Sequence, residues 1–397
     1  MTPQSPVIDL LAKLVRIPSV NPSYDGGVPE AACAEFIEEY LKSNGIETWR
    51  QIVFPDRPNI LALVPGKDRS RRIVFEAHID TVSVHGMAIP AFEPVISDGR
   101  IYGRGSCDTK GGLAAMMCAM VSLRQQAIVP EHDILFAAVV DEEFSYRGVV
   151  ALCDWLQQQQ SSVAATRGHL TQTILAVVAE PTDLRLVVAS KGVLRWRIET
   201  IGLAAHSSKP HLGRNAIVAM ARVIELLERN THKLNEKQHP LLGSATLNIG
   251  LIRGGEQVNT VPERCVIELD RRLLPGETWE QEFEHYDRLL DTLRNQEPTV
   301  GIVMHPPMLT DLPWDCSQDQ SAIQQLVSLL ASLQLDSYPM GAPFGSDASK
   351  LAAIGIPSVI IGPGSIDQAH AAVEYVDCSQ VERAVEVYRR MMQLKHI

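Results

Sequence analysis

The stretch Arg72–Val84, "RIVFEAHIDTVSV", is a β-branched apolar run that ends in a histidine and an aspartate with one residue between them. Three other segments share its form: "NILALVPG" (59–66), "DILFAAVVDEE" (133–143) and "TILAVVAEP" (173–181). Each is short, nearly continuous in Val, Ile, Leu and Ala, and followed by turn or polar residues, which is the pattern of a strand covered on both faces. Helical spacing lies between and around them, in "PVIDLLAKLVRI" (6–17), "PEAACAEFIEEYLKSNG" (29–45, with Gly45 as its stop) and "LAAMMCAM" (113–120). Strands of this kind alternating with helices predict an α/β fold with a mixed, largely parallel sheet flanked by helices.

Beyond residue 190 the pattern changes. "LRWRIETIG" (194–202) alternates like a strand with one face exposed, and "AIVAMARVIELLER" (216–229) is helical. "ATLNIGLIRGG" and "RCVIELDRRLL" read as strands, "TWEQEFEHYDRLLDTLRN" as a helix and "TVGIVMHP" as a last strand. The order βαββαβ predicts a small ferredoxin-like α+β domain. After it, "AIQQLVSLLASL" and "PSVIIGPG" resume the first pattern, so the smaller domain, 190–299, is inserted into a discontinuous larger one, 1–189 and 300–397. "QQQQ" at 157–160 reads as a helix end or loop.

Two domains also suit a length of 397 residues, beyond the roughly 250–300 at which one core stops growing. A net charge of −11 with no block of Lys and Arg argues against nucleic acid. Small molecules or peptides are the expected partners. No apolar run approaches the roughly 18 residues of a membrane span, and the first residues lack a basic, apolar leader, so the expected location is cytoplasmic. The seven cysteines are scattered without a C-x-x-C pair and read as reduced, mostly buried side chains.

His78 and Asp80 alternate along their strand, so they point to one side and meet beyond its carboxyl end, where ligands bind in open α/β sheets. "YGRGSCDTKGG" (102–112) places Asp108 in a glycine-rich turn before a helix. That position suits a helix cap, and neither phosphate-cradle spacing is present. However, Asp141, Glu142 and Glu143 end a second strand and Glu180 a third. Carboxylates gathered at neighbouring strand ends repel one another and resist desolvation, and a shared divalent metal relieves both. His370, in the loop "GPGSIDQAHAAVEY", adds a second imidazole. Two histidines with several carboxylates suit zinc better than calcium or magnesium, with cobalt or manganese acceptable.

With "HIDTV", "GRGSCDTKGG", "DEEFS", "AEPTDL", "AHSS", "NTVPERCVIELDRRLLPG" and "GPGSIDQAH" in order along nearly the whole chain, the sequence resembles the M20 family of dinuclear zinc aminoacylases and exopeptidases. Within it, the acetylornithine deacetylase and succinyl-diaminopimelate desuccinylase group is the nearest likeness. The resemblance implies a zinc-exopeptidase-like catalytic domain with a lid and dimerisation domain inserted, and a homodimer. It makes Asp108 the bridge between two metals, His78 and Glu180 the rest of one site, and Glu143 and His370 the rest of the other. Asp80 then accepts the second ring N–H of His78. Glu142 is the general base toward a metal-activated water. His206 reaches the partner subunit's site as an oxyanion donor. Arg272 and Asn259 hold the substrate carboxylate, with Arg271 the alternative to Arg272, because only one of two successive strand residues can face the cleft. The Asp108–Thr109 peptide bond is expected to be cis.

The implied function is hydrolysis of the amide bond of an N-acyl amino acid, with an acetylornithine-like substrate leading. A desuccinylase and a metallo-carboxypeptidase or dipeptidase are the alternatives within the class, and a non-catalytic ligand-binding protein on the same fold the alternative outside it. "FGSDASKL" departs from the deacetylase pattern, which leaves the role of Gly345–Asp347 open. A serine hydrolase is excluded by the absence of G-x-S-x-G.

Overall fold

A computed structural model describes residues 5–159 and 171–395. Its chain divides into two compact units, the first running to Val188 and comprising also Cys316–Met340 and the residues from Ser346 on, the second comprising Ala189–Asp315 and Gly341–Gly345. Among the described residues no helix is long and apolar enough to cross a membrane.

In the first unit the strands Glu47–Phe54, Arg57–Val64, His132–Val139, Asp68–His78, Gln172–Val178 and Ser358–Ile360 lie side by side in that order. The first two pairings are antiparallel and the next three parallel. The four central strands therefore point the same way, and their carboxyl ends share one edge of the sheet. His132–Val139 is buried along its whole length, as a strand covered on both faces must be. Glu47–Phe54 was not among the expected strands. It is an edge strand with only intermediate or exposed positions, so it lacks the apolar run that marks the others.

Helices Pro6–Val15, Ala31–Ser43, Lys110–Gln125, Arg147–Gln159, Gln320–Ser332 and Cys378–Met391 belong to the same unit. Ala31–Ser43 ends just before Gly45, whose φ of +73° supplies the left-handed turn that glycine adopts without strain. Gln157–Gln159 close the helix before the polar tract ends, and Gln160 lies outside the described residues. The helix Lys110–Gln125 is buried on nearly every face, which explains its run of Ala, Met and Leu. Its first residue, Lys110, is fully buried, and Nζ donates to the carbonyls of Leu14 (3.1 Å) and Ile17 (2.8 Å). Its ammonium thus ties the end of Pro6–Val15 and the residues just beyond it to the start of Lys110–Gln125. All seven cysteines are free.

The second unit is an antiparallel sheet in the order Thr246–Gly254, Arg264–Leu273, Gly192–Ile201, Gly301–Met304, with helices Ala216–Thr231 and Trp279–Gln296. This is the ferredoxin-like βαββαβ arrangement. Trp196, Ile198, Met220, Leu269 and Tyr286 form its core, with the Trp196 and Tyr286 rings 5.1 Å apart. The boundary expected at 299 requires correction. Gly301–Met304 and Leu309–Asp311 both pair with Gly192–Ile201, so pairing carries the unit past 299 to Asp311, and the compact unit runs on to Asp315.

Candidate metal centre and active site

Four of the five expected metal-binding side chains leave the carboxyl end of a central strand or the loop that follows it. His78 is the last residue of Asp68–His78, Glu142 and Glu143 follow His132–Val139, Glu180 follows Gln172–Val178, and His370 follows Ser358–Ile360. Asp108 comes from the turn before Lys110–Gln125, and its bond to Thr109 is cis, as expected. Asp108 does not cap that helix. Thr109 holds the cap position, and its hydroxyl donates to the carbonyl of Ala179 at 2.8 Å.

The two carboxylate oxygens of Asp108 face two histidines. Oδ1 lies 3.1 Å from His78 Nε2 and Oδ2 lies 3.3 Å from His370 Nε2. On the His78 side Glu180 Oε1 is 3.9 Å from Nε2, and on the His370 side Glu143 Oε2 is 3.3 Å from Nε2. The ligand atoms of His78, Asp108 and Glu180 lie within 4.8 Å of one another, and so do those of Asp108, Glu143 and His370. Two three-residue groups sharing one carboxylate are what a pair of divalent cations requires. The chemistry of the donors agrees, since mixed imidazole and carboxylate sets bind zinc-like metals. Glu143 Oε1 is also buried without a hydrogen-bond partner, as suits an oxygen aimed at a cation. Glu142 joins His78 and Glu143 in a third such group, so distance alone does not separate it from the ligands.

Asp80 supports this arrangement differently from the expectation. His78 Nδ1 donates to the main-chain carbonyl of Asp80 at 3.0 Å, while the Asp80 carboxylate is 3.6 Å away. That carboxylate instead accepts the backbone N–H groups of Glu142 and Glu143, each at 3.1 Å, and Asn21 Nδ2 at 2.7 Å. One aspartate thus fixes the ring of His78 through its backbone and the Glu142–Glu143 turn through its side chain. Asn21 also donates to Asp141 at 3.0 Å, and Arg57 joins Asp141 to the fully buried Glu30. No signal in the sequence pointed to Asn21, because its partners lie 59 and 120 residues away.

The electrostatics show how much negative charge the site holds. Burial would raise the Asp108 carboxyl, but hydrogen bonds from His370 and His78 outweigh it and hold Asp108 low. His370 is pushed up to about 10, first by its hydrogen bonds to Asp108 and Glu143. Burial pushes Glu142 well above the carboxylate range against the opposing pull of His78, and it raises Glu180 with the Asp108 charge adding to the effect. Behind His78 lie two further buried carboxyls, Glu76 and Asp347. Burial and their mutual repulsion raise Glu76, and burial raises Asp347 to about 7. So many acids around two imidazoles leave a deficit of positive charge that divalent cations would fill. The signal for Glu76 was available, as an acid inside an apolar strand two residues before His78. Asp347 belongs to the "GSD" loop, and the structure gives that loop a buried carboxyl.

In the second unit the Arg264–Leu273 strand separates the two candidate arginines. Arg271 is fully buried, and its guanidinium reaches Glu277 and Glu282 at 3.1 Å each. Arg272 lies on the opposite face, half-exposed, paired with Asp270 at 2.7 Å. The member turned away from the core is therefore Arg272. His206 and Asn259 lie close together, since the Ser207 N–H donates to the Asn259 carbonyl at 3.0 Å and His206 forms a bridge with Thr260. Both are exposed.

Comparison with known proteins agrees with this fold. The family described as peptidase family M20/M25/M40 matches residues 74–394. An acetylornithine deacetylase of Buchnera aphidicola is 28% identical over 393 residues, covering 98% of this chain and 96% of the relative. A probable carboxypeptidase of Paracoccidioides brasiliensis is 30% identical over 404 residues, covering 98% and 85%. Among solved structures, aminopeptidase PepT from Bacillus cereus shares the fold with a TM-score of 0.77 at 21% identity, covering 98% of this chain and 97% of that one.

Proposed function

The chain belongs to peptidase family M20/M25/M40 and is a metal-dependent hydrolase of amide bonds, and from that premise we propose that it cleaves the acyl group from an N-acyl amino acid, with an acetylornithine-like substrate. The observation that carries the reading is Asp108, whose two oxygens face His78 and His370 with Glu180 and Glu143 beside them. The likeness to an acetylornithine deacetylase over nearly the full length of both chains supports the substrate class.

Two divalent cations, zinc in this reading with cobalt or manganese as substitutes, would be held by His78, Asp108 and Glu180 and by Asp108, Glu143 and His370, and would polarise the scissile carbonyl and acidify the attacking water. Glu142 takes a proton from that water and delivers it to the leaving nitrogen as the C–N bond breaks, so the products are a carboxylate and a free amine. Burial raises its carboxyl, which makes it a better proton acceptor than an exposed carboxylate. Asp80 holds the His78 ring and the backbone of Glu142. Arg272, with Asn259, holds the substrate carboxylate, and His206 donates to the carbonyl oxygen as negative charge develops there.

A homodimer and a cytoplasmic location complete the proposal. Leu251 and Ile252 on the sheet-edge strand Thr246–Gly254 are exposed, as suits a strand that pairs with a second copy. Seven free thiols suit a reducing compartment. Amine release from a panel of N-acetyl and N-succinyl amino acids and dipeptides, with metal added and with chelator, tests the whole reading. Turnover of N-acetylornithine that chelator abolishes and metal restores is the expected result. Preference for a succinyl substrate or a dipeptide would move the assignment within the family, and no metal-dependent turnover of any member would overturn it.

A further inference from the structure

Glu374 lies four residues beyond His370 and is fully buried, yet none of the steps above uses it. Its Oε1 accepts two backbone N–H groups, those of Cys107 (2.9 Å) and Asp108 (3.1 Å). Its Oε2 accepts Arg104 Nη1 at 2.6 Å, and Arg104, also buried, donates from Nη2 to the Ser83 carbonyl at 3.1 Å. The surrounding backbone is joined as well. The Gly103 N–H donates to the Glu374 carbonyl at 3.1 Å, and Tyr375–Asp377 pairs with Arg100–Tyr102. The loop that carries His370 and the turn that carries Asp108 are therefore one hydrogen-bonded assembly, with the Glu374 carboxylate at its centre.

Buried amides outside a helix or sheet need an acceptor, and an ionised carboxylate held by an arginine is a strong one. Here the amides it binds are those of the bridging residue and its predecessor, so the carboxylate fixes the backbone from which Asp108 projects. The same short segment supplies His370, whose Nε2 meets Asp108 Oδ2 at 3.3 Å. We infer that Glu374 is a positioning residue that sets Asp108 for the Asp108, Glu143 and His370 cation site and couples that site to the placement of His370. The inference rests on the metal reading of the centre. Partners that orient metal ligands typically govern affinity about 10- to 100-fold.

Cobalt binding to the metal-free protein, followed by equilibrium dialysis and the visible absorption of Co2+, tests this without recourse to activity. Wild-type protein should bind two ions per chain, and if it binds none the metal reading itself fails, apart from anything said of Glu374. Glu374→Asp draws the carboxylate back from the amides while keeping its charge. It should weaken cobalt binding about 10- to 100-fold, most at the ion shared by Asp108, Glu143 and His370, and change that ion's absorption band. Arg104→Lys, which loosens the other end of the same carboxylate, should shift the same ion in the same direction by less, and it decides the matter should Glu374→Asp not fold. Two ions bound with wild-type affinity and spectrum in the folded variants, whatever happens to their melting temperature, would reduce Glu374 to a structural residue and overturn the inference.

Discussion

His206 Nδ1 accepts the backbone N–H of Ser208 at 3.1 Å, with the Ser208 hydroxyl 2.7 Å from the same nitrogen. An N–H can donate only to an unprotonated ring nitrogen, so this turn places the proton on Nε2 and makes the exposed end of the ring a donor. That is the form a neutral oxyanion donor needs. His206→Ala should therefore lower kcat by about 100- to 1000-fold with metal content unchanged. In the proposed dimer, a His206→Ala chain combined with a Glu142→Ala chain should recover one complete site. Purified mixed dimers carrying two different tags that show no activity above either homodimer would remove the cross-subunit role.

Neighbouring acids should separate on substitution. Glu142→Gln keeps the size of the side chain but cannot take the proton, so turnover should fall by about 100- to 10,000-fold while both metals stay bound. Glu143→Gln should instead lose one metal, because Glu143 Oε2 lies beside His370. Metal analysis beside kinetics decides between them, and substantial activity in Glu142→Gln would show that another group is the base.

Metal uptake should release protons. In the metal-free protein His370 is raised to about 10 and so is protonated at pH 7.5, and a ligand nitrogen must give up its proton to bind. The sign follows: affinity rises with pH below about 10, and calorimetry in buffers of different ionisation enthalpy should show proton release on zinc or cobalt binding at pH 7.5. The ion pairs of His370 with Asp108 and Glu143 stabilise the metal-free fold fully below the usual histidine range and lose that contribution as pH rises toward 10. Uptake with no proton released would contradict the protonated state.

Arg271 and Arg272 should behave as opposites. Arg272→Ala should raise KM for a substrate with a free α-carboxylate and spare the melting temperature. Arg271→Ala leaves Glu277 and Glu282 without their buried cation and should cost about 3–5 kcal/mol of stability. A loss of substrate affinity in folded Arg271→Ala that matched Arg272→Ala would undo the distinction.

What the amino-acid sequence by itself determined is the class of fold and the set of residues proposed to react. Its buried strands announce themselves because a strand covered on both faces carries few polar residues along its length, so His78, the Asp141–Glu143 acids and Glu180 stand out at the ends of apolar runs. Glu47–Phe54 did not stand out, because an edge strand is free to be polar. Tertiary structure alone decided which atoms meet. The two arginines of "LDRRLL" are equivalent in sequence until pairing with Gly192–Ile201 turns one face of the strand toward the core. The resemblance assigned the Asp80 carboxylate to His78, yet it goes to the Glu142–Glu143 turn, which only the parallel alignment of two strands brings within reach. Glu374 and Cys107 are 267 residues apart. Local pattern carries information over a turn of helix or a pair of strand residues, and contacts across such separations exist only once the chain has folded.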